Sequence, residues 1–152
     1  VQSTNSRFSV IRPLDPLLEQ YESEYHYLFA CVYRAANATG DATLEQHYGL
    51  PNIARRLLEM FLAFRRPQIA GELWQKLQDV KFDEAKRTRI ARFVHTHSHG
   101  DTVGEPEHEP SLLGEAKSVL ADLLELIKSE DAQHFTAMEG LIARSAEEVE
   151  GG

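Results

Sequence analysis

Apolar residues recur along this chain at the three-and-four-residue interval of an α-helix, and that spacing governs what it can fold into. From residue 15 to about 36, Leu17, Leu18, Tyr21, Tyr25, Leu28, Phe29 and Val32 trace one face. Asp15-Pro16 opens this stretch as an N-cap followed by a proline at the first helical position, where a missing N–H costs nothing. Ahead of it, residues 1–13 read as an extended lead-in, with a short extended piece around Phe8 and Ile11. Residues 37–49 contain Thr39-Gly40-Asp41 and read as a loop; Pro51 then starts a second helix that Pro67 ends, with Ile53, Leu57, Phe61 and Phe64 as its core stripe. A short third helix over 68–78 brings Leu73, Trp74 and Leu77 to one side. Asp83 caps a fourth, which runs through Ile90, Phe93 and Val94 to a group of histidines, with Gly100 at its C-cap. After a polar loop over 101–110, helices are expected over 111–128 and 129–144, the second opened by Ser129 with Glu130 and Asp131 in its first turn. The expectation is therefore all-α: a single helical-bundle domain of five or six helices over 14–146, with a short extended N-terminal segment and a disordered tail over 147–152.

Composition agrees with one soluble domain. The chain has 152 residues, 42% of them hydrophobic and 26% charged, enough to bury a core without disulfides or a structural metal. Its one cysteine, Cys31, has no partner in the chain, which makes the cytoplasm the expected compartment. No apolar run approaches the roughly 20 residues that span a bilayer, so no membrane partner is expected. The chain opens at Val1 with no methionine, no basic segment and no apolar segment, so the expectation is no signal peptide and a region taken from something longer. A phosphate loop of the form GxxxxGK[ST] is absent from these residues.

The net charge of −8 hides a division. Residues 1–50 carry 3 basic and 6 acidic groups; residues 51–97 carry 10 and 5, a balance of +5; residues 98–152 carry 3 and 13, a balance of −10. A basic stretch in an acidic protein can hold a polyanion, because phosphate contacts follow the local field. The acidic stretch reads most simply as solvated surface.

The densest polar cluster runs from Arg92 to Asp101. On a continuing helix Arg92, His95 and His99 share one face, with His97 on the apolar side. His95 and His99 stand at i, i+4, a spacing by which two imidazoles reach one metal ion, with Asp101, Glu105, Glu107 and His108 nearby. No third ligand is evident, and an adjacent arginine disfavours a cation. The alternative is metal-independent acid–base chemistry: imidazole moves protons near neutral pH, and guanidinium holds phosphate oxygens through paired hydrogen bonds. RNA supplies its own nucleophile, the 2′-hydroxyl. The plain reading is that basic groups gather at a helix C-terminus to complement its dipole. A second pair, Arg55 and Glu59, stands at i, i+4 off the most buried line of the second helix, as an ordinary ion pair would; Arg65-Arg66 adds basic charge beyond it. Glu22 and His26 have the same spacing and the same plain reading.

Three strings together resemble a known family: residues 21–29 (YESEYHYLF), residues 50–64 (LPNIARRLLEMFLAF), and Arg92-Phe93 leading to Ser98-His99-Gly100-Asp101. They resemble the C-terminal helical region of bacterial ABC-type ATPases of the RloC and PrrC kind, over about residues 16–138. In that family a P-loop ATPase is followed by a helical anticodon-nuclease region of the HEPN class. The resemblance implies an endoribonuclease effector of a phage-defence ATPase, cutting RNA of the tRNA class without metal. Arg-x-x-x-Glu followed some tens of residues later by His falls on Arg55, Glu59 and His99, and the HEPN spacing of Arg, four to six residues, His falls on Arg92 with His99 or His97. His99 then serves as acid/base, Arg55 and Arg92 hold the phosphate, and Glu59 orients an arginine or carries a second proton. Arg56, Arg65, Arg66, Lys86, Arg87, Arg89 and His95 would line the RNA. The resemblance further implies no cofactor within this chain, ATP and Mg in the ATPase part, that ATPase domain as a partner, and a homodimer. The competing expectation is a catalytically silent helical scaffold or dimerisation element of such an ATPase.

Overall fold

The computed structural model describes residues 20–40, 44–95 and 110–150, with side chains over 20–40, 48–95 and 115–147. Six helices make up the described residues: α1 (Glu24–Asn37), α2 (Leu44–Arg65), α3 (Leu73–Gln78), α4 (Glu84–His95), α5 (Pro110–Glu130) and α6 (Ala132–Glu150), with no strand among them. The all-α single domain expected from periodicity is what the chain forms.

Packing follows from where the apolar stripes fall. α1 lies against α2 and α5, α4 against α5 and α2, and α6 against α5 and α1, while short α3 bridges α2 and α4. The core is one cluster, built on Phe29 and Val32 of α1, Leu57, Leu58 and Leu62 of α2, Ile90 of α4, and Leu120, Leu123, Leu126 and Ile127 of α5, all fully buried. α4 runs antiparallel to α5, since Lys86 meets Glu125 while Arg89 meets Asp122.

Local signals set several helix ends. Asp83 Oδ1 accepts the Lys86 N–H at 2.9 Å, the cap the sequence indicated for α4. Other ends differ from expectation. The described helix α1 begins at Glu24, with the Ser23 hydroxyl accepting the His26 N–H at 3.1 Å, so Tyr21 and Glu22 lie outside it; Asp15-Pro16, the lead-in and Gly100 lie outside the described residues. Pro51 does not start α2 but sits inside it, seven residues after Leu44, in a stretch expected to be loop. A proline in a helix interior costs about 3 kcal/mol, and burial of Leu50 and of Pro51 itself against the core offsets it. The third helix shrinks to six residues, with Leu77 buried but Trp74 exposed. α5 runs on to Glu130, and the break falls at Asp131 rather than Ser129: Asp131 Oδ1 accepts the His134 N–H at 2.9 Å, whereas the Ser129 hydroxyl donates to the Leu126 carbonyl. α6 continues to Glu150, past the expected end at Arg144. Phe64, read as core, is 83% exposed. The stripe reaches it in register, but no described element packs over that side of the last turn of α2.

Candidate functional site

Arg55 and Glu59 project from the middle of α2, one turn apart. Arg55 Nε donates to Glu59 Oε1 at 2.8 Å, and the two side chains are 35% and 42% exposed. The pair opens into a groove of about 320 Å³ between α2 and α3, lined by Arg55, Glu59, Gly71, Glu72, Leu73 and Lys76. The turn that carries α3 back over α2 depends on Gly71, whose φ of +120° is a conformation that residues with a Cβ rarely adopt. A side chain there would also crowd Gln75, 3.3 Å from the Cβ position. Lys76 is half-buried in this groove and makes no side-chain hydrogen bond or ion pair among the described residues. Sequence reasoning passed over it because nothing in the spacing of α3 marks Lys76 as facing Arg55; that juxtaposition arises only when α3 folds onto α2.

The remaining basic residues are placed differently. Arg56 pairs with Glu24 of α1. At the C-terminus of α2, Arg65 holds Asp131 at 3.3 Å and the Glu130 carbonyl at 2.9 Å, while Arg66 bridges Asp79 at 2.7 Å and Glu130 at 2.6 Å. Lys86 donates to Glu125 at 2.6 Å, and Arg89 to the buried Asp122 at 2.5 Å. Arg87 caps the Gln78 and Val80 carbonyls. The carboxylates of Glu125 and Asp122 push the Lys86 ammonium above its ordinary pKa, the Glu125 hydrogen bond contributing most. Arg92 and His95 are exposed near the end of α4, and Arg92 does not line the Arg55–Glu59 groove. His97 and His99 lie outside the described residues.

Two further histidines are organised by the fold. His26 is 2% exposed; its Nδ1 accepts the Glu22 N–H at 3.1 Å, which leaves the proton on Nε2, an atom with no hydrogen-bond partner. Its ring meets Tyr21 edge-on at 5.1 Å, and it stands at the wall of a recess of about 160 Å³ between the start of α1 and Leu141, Arg144 and Ser145 of α6. Burial lowers its pKa, Arg34 and Arg144 add to that, and Glu22 opposes it. His134 Nε2 lies 2.9 Å from the Tyr25 hydroxyl, whose pKa is raised by burial and then by Asp131. Among the described residues no three His, Cys, Asp or Glu side chains gather as metal ligands, and no helix is long and apolar enough to cross a membrane.

Compared with known families, residues 2–125 match the model described as an AAA domain. The chain belongs to the AAA-domain family. That match takes in the groove, both of its helices and most of α5, and it places the chain among ATPase-associated proteins. No curated protein and no solved structure matches the chain. α6 lies beyond the part of the chain that carries the AAA-domain match.

Proposed function

We propose that this chain is the RNA-cleaving effector region of an AAA-domain ATPase, akin to the HEPN-class anticodon nucleases of phage defence, and that the α2–α3 groove holds the scissile phosphate. The observation that carries this reading is the setting of Arg55 and Glu59. They are not sealed against a neighbouring helix but open into a concave, polar groove that two more charged side chains, Glu72 and Lys76, share. Glu59 fixes the Arg55 guanidinium through Nε, so its plane is set before a phosphate arrives. Cleavage then needs no metal. The RNA 2′-hydroxyl gives its proton to a base and attacks the adjacent phosphorus. The bond to the 5′-oxygen breaks, that oxygen takes a proton from an acid, and the products are a 2′,3′-cyclic phosphate and a 5′-hydroxyl. His99 is the assigned acid/base, with Arg92 as a second phosphate contact, and a homodimer and the parent ATPase domain are the assigned partners. ATP and Mg belong to the ATPase part.

A second reading, a silent helical scaffold of the ATPase, draws on a different observation. Arg56, Arg65, Arg66, Lys86, Arg87 and Arg89, expected to touch RNA, all bind groups within the chain. One experiment separates the two: incubation of the chain in EDTA with total tRNA and with single-stranded RNA, followed by analysis of product ends. Cyclic-phosphate ends that survive EDTA, and a loss of about 10²–10⁴-fold in His99→Ala and Arg55→Ala, support the nuclease. Intact RNA with the parent ATPase part restored supports the scaffold.

A further inference from the structure

We propose that Lys76 is a substrate-binding residue that holds the phosphodiester backbone of RNA in the α2–α3 groove, an inference that rests on the ribonuclease reading above. Arg56, Arg65, Arg66, Lys86 and Arg89 each meet a carboxylate, and Arg87 is held on backbone carbonyls. Lys81 is exposed. Lys76 alone combines partial burial at a cavity with the absence of any ion pair among these lysines and arginines.

Its neighbours sharpen the point. Glu72, the N-cap residue of α3, stands four residues before Lys76 and lines the same groove, as does Glu59. Neither carboxylate is within ion-pair distance of the ammonium: Glu59 is engaged by Arg55, and no salt bridge joins Glu72 to Lys76. A lysine that lines a groove and has no counter-charge within ion-pair distance is available to an anion from outside. Because Arg55 and Glu59 cancel as a pair, the attraction of the groove for phosphate depends on Lys76, opposed by Glu72. A lysine suits that task, as a flexible point charge that follows a backbone without demanding a single planar geometry. Arg55, fixed by Glu59, then supplies orientation, and Lys76 supplies capture.

The test is steady-state cleavage of total tRNA in EDTA by the full chain, with Lys76→Ala, Lys76→Arg and Glu72→Gln beside it and helicity checked by circular dichroism. Lys76→Ala is expected to raise KM by about tenfold, the size of one charge-assisted contact, with kcat within about twofold. Lys76→Arg is expected to restore KM to within about twofold of wild type, and Glu72→Gln to lower it. A Lys76→Ala protein with wild-type KM, or one whose loss lies in kcat and is not rescued by arginine, overturns the assignment while leaving the nuclease reading in place. RNA left intact by the wild-type chain even with the parent ATPase part restored overturns the nuclease reading, and the lysine assignment falls with it.

Discussion

His26 shows how one side chain acquires properties that its sequence setting does not announce. The i, i+4 spacing to Glu22 suggested a surface salt bridge, yet the bond that forms runs from the Glu22 backbone N–H to Nδ1, and the ring is buried. The sequence could show that the two residues were neighbours; it could not show that the helix starts at Glu24 and turns the Glu22 amide toward the ring. A consequence for stability follows. Burial, with Arg34 and Arg144, lowers the folded pKa below the ordinary 6.5, so the unfolded chain binds a proton at this site more readily than the folded one. The contribution of His26 to stability is therefore complete above about pH 6.5 and declines as pH falls below it, until the folded pKa is reached. Thermal melts between pH 8 and pH 5 are expected to show a fall in Tm that is smaller in His26→Asn, whose amide oxygen can accept the Glu22 N–H but cannot take a proton. Equal slopes in the two proteins would refute the assignment.

Helices were legible where a single short-range rule decided them and illegible where packing overruled it. The Asp83 cap needs only a carboxylate three residues before an N–H, and it forms as expected. Ser129 and Asp131 are both competent caps, and the choice fell to Asp131, which Arg65 holds from the end of α2, a contact 66 residues away in the chain. Pro51 carries a strong local signal for a helix start, which burial in the core overrides. The α4–α5 seam rests on contacts of the same long-range kind. Asp122 is 8% exposed at its side chain, with Arg89 at 2.5 Å and Lys86 at 3.7 Å. Removing Arg89 leaves a buried carboxylate with its more distant partner only, so Arg89→Ala is expected to cost about 1–3 kcal/mol. Urea unfolding of Arg89→Ala, Asp122→Ala and the double variant measures this, and the double variant is expected to lose less than the sum of the two. A change within about 0.5 kcal/mol for Arg89→Ala would mark it instead as an ordinary surface charge.

The division of charge along the chain gains a meaning in the folded molecule that no window of sequence could supply. Basic residues of the middle third lie beside acidic residues of α5 and the α5–α6 junction, at Lys86–Glu125, Arg89–Asp122, Arg66–Glu130 and Arg65–Asp131. What reads along the sequence as a track for a polyanion is in large part the internal bracing of a bundle, and the acidic C-terminal stretch is in part its complement. The basic residues divide into those that brace, Arg55 and Lys76, which face a groove, and Arg92 and His95, which are exposed near the end of α4. The groups differ in a quantity that can be measured. Each phosphate neutralised on a single strand contributes about −0.7 to the slope of log K against log salt concentration. Binding through Arg55, Arg92 and Lys76 alone gives a slope of about −2.1, whereas a track that also used Arg56, Arg65, Arg66, Lys86, Arg87 and Arg89 gives about −6.3. Fluorescence anisotropy with a 2′-O-methyl single-stranded RNA, which cannot be cleaved by its own hydroxyl, is expected to give the shallow slope between 50 and 300 mM salt (about a sixfold range). A steep slope would mean that the bracing pairs open when RNA arrives; binding would then draw on the same ion pairs that hold α4 and α2 to α5, and the bundle would have to loosen to bind.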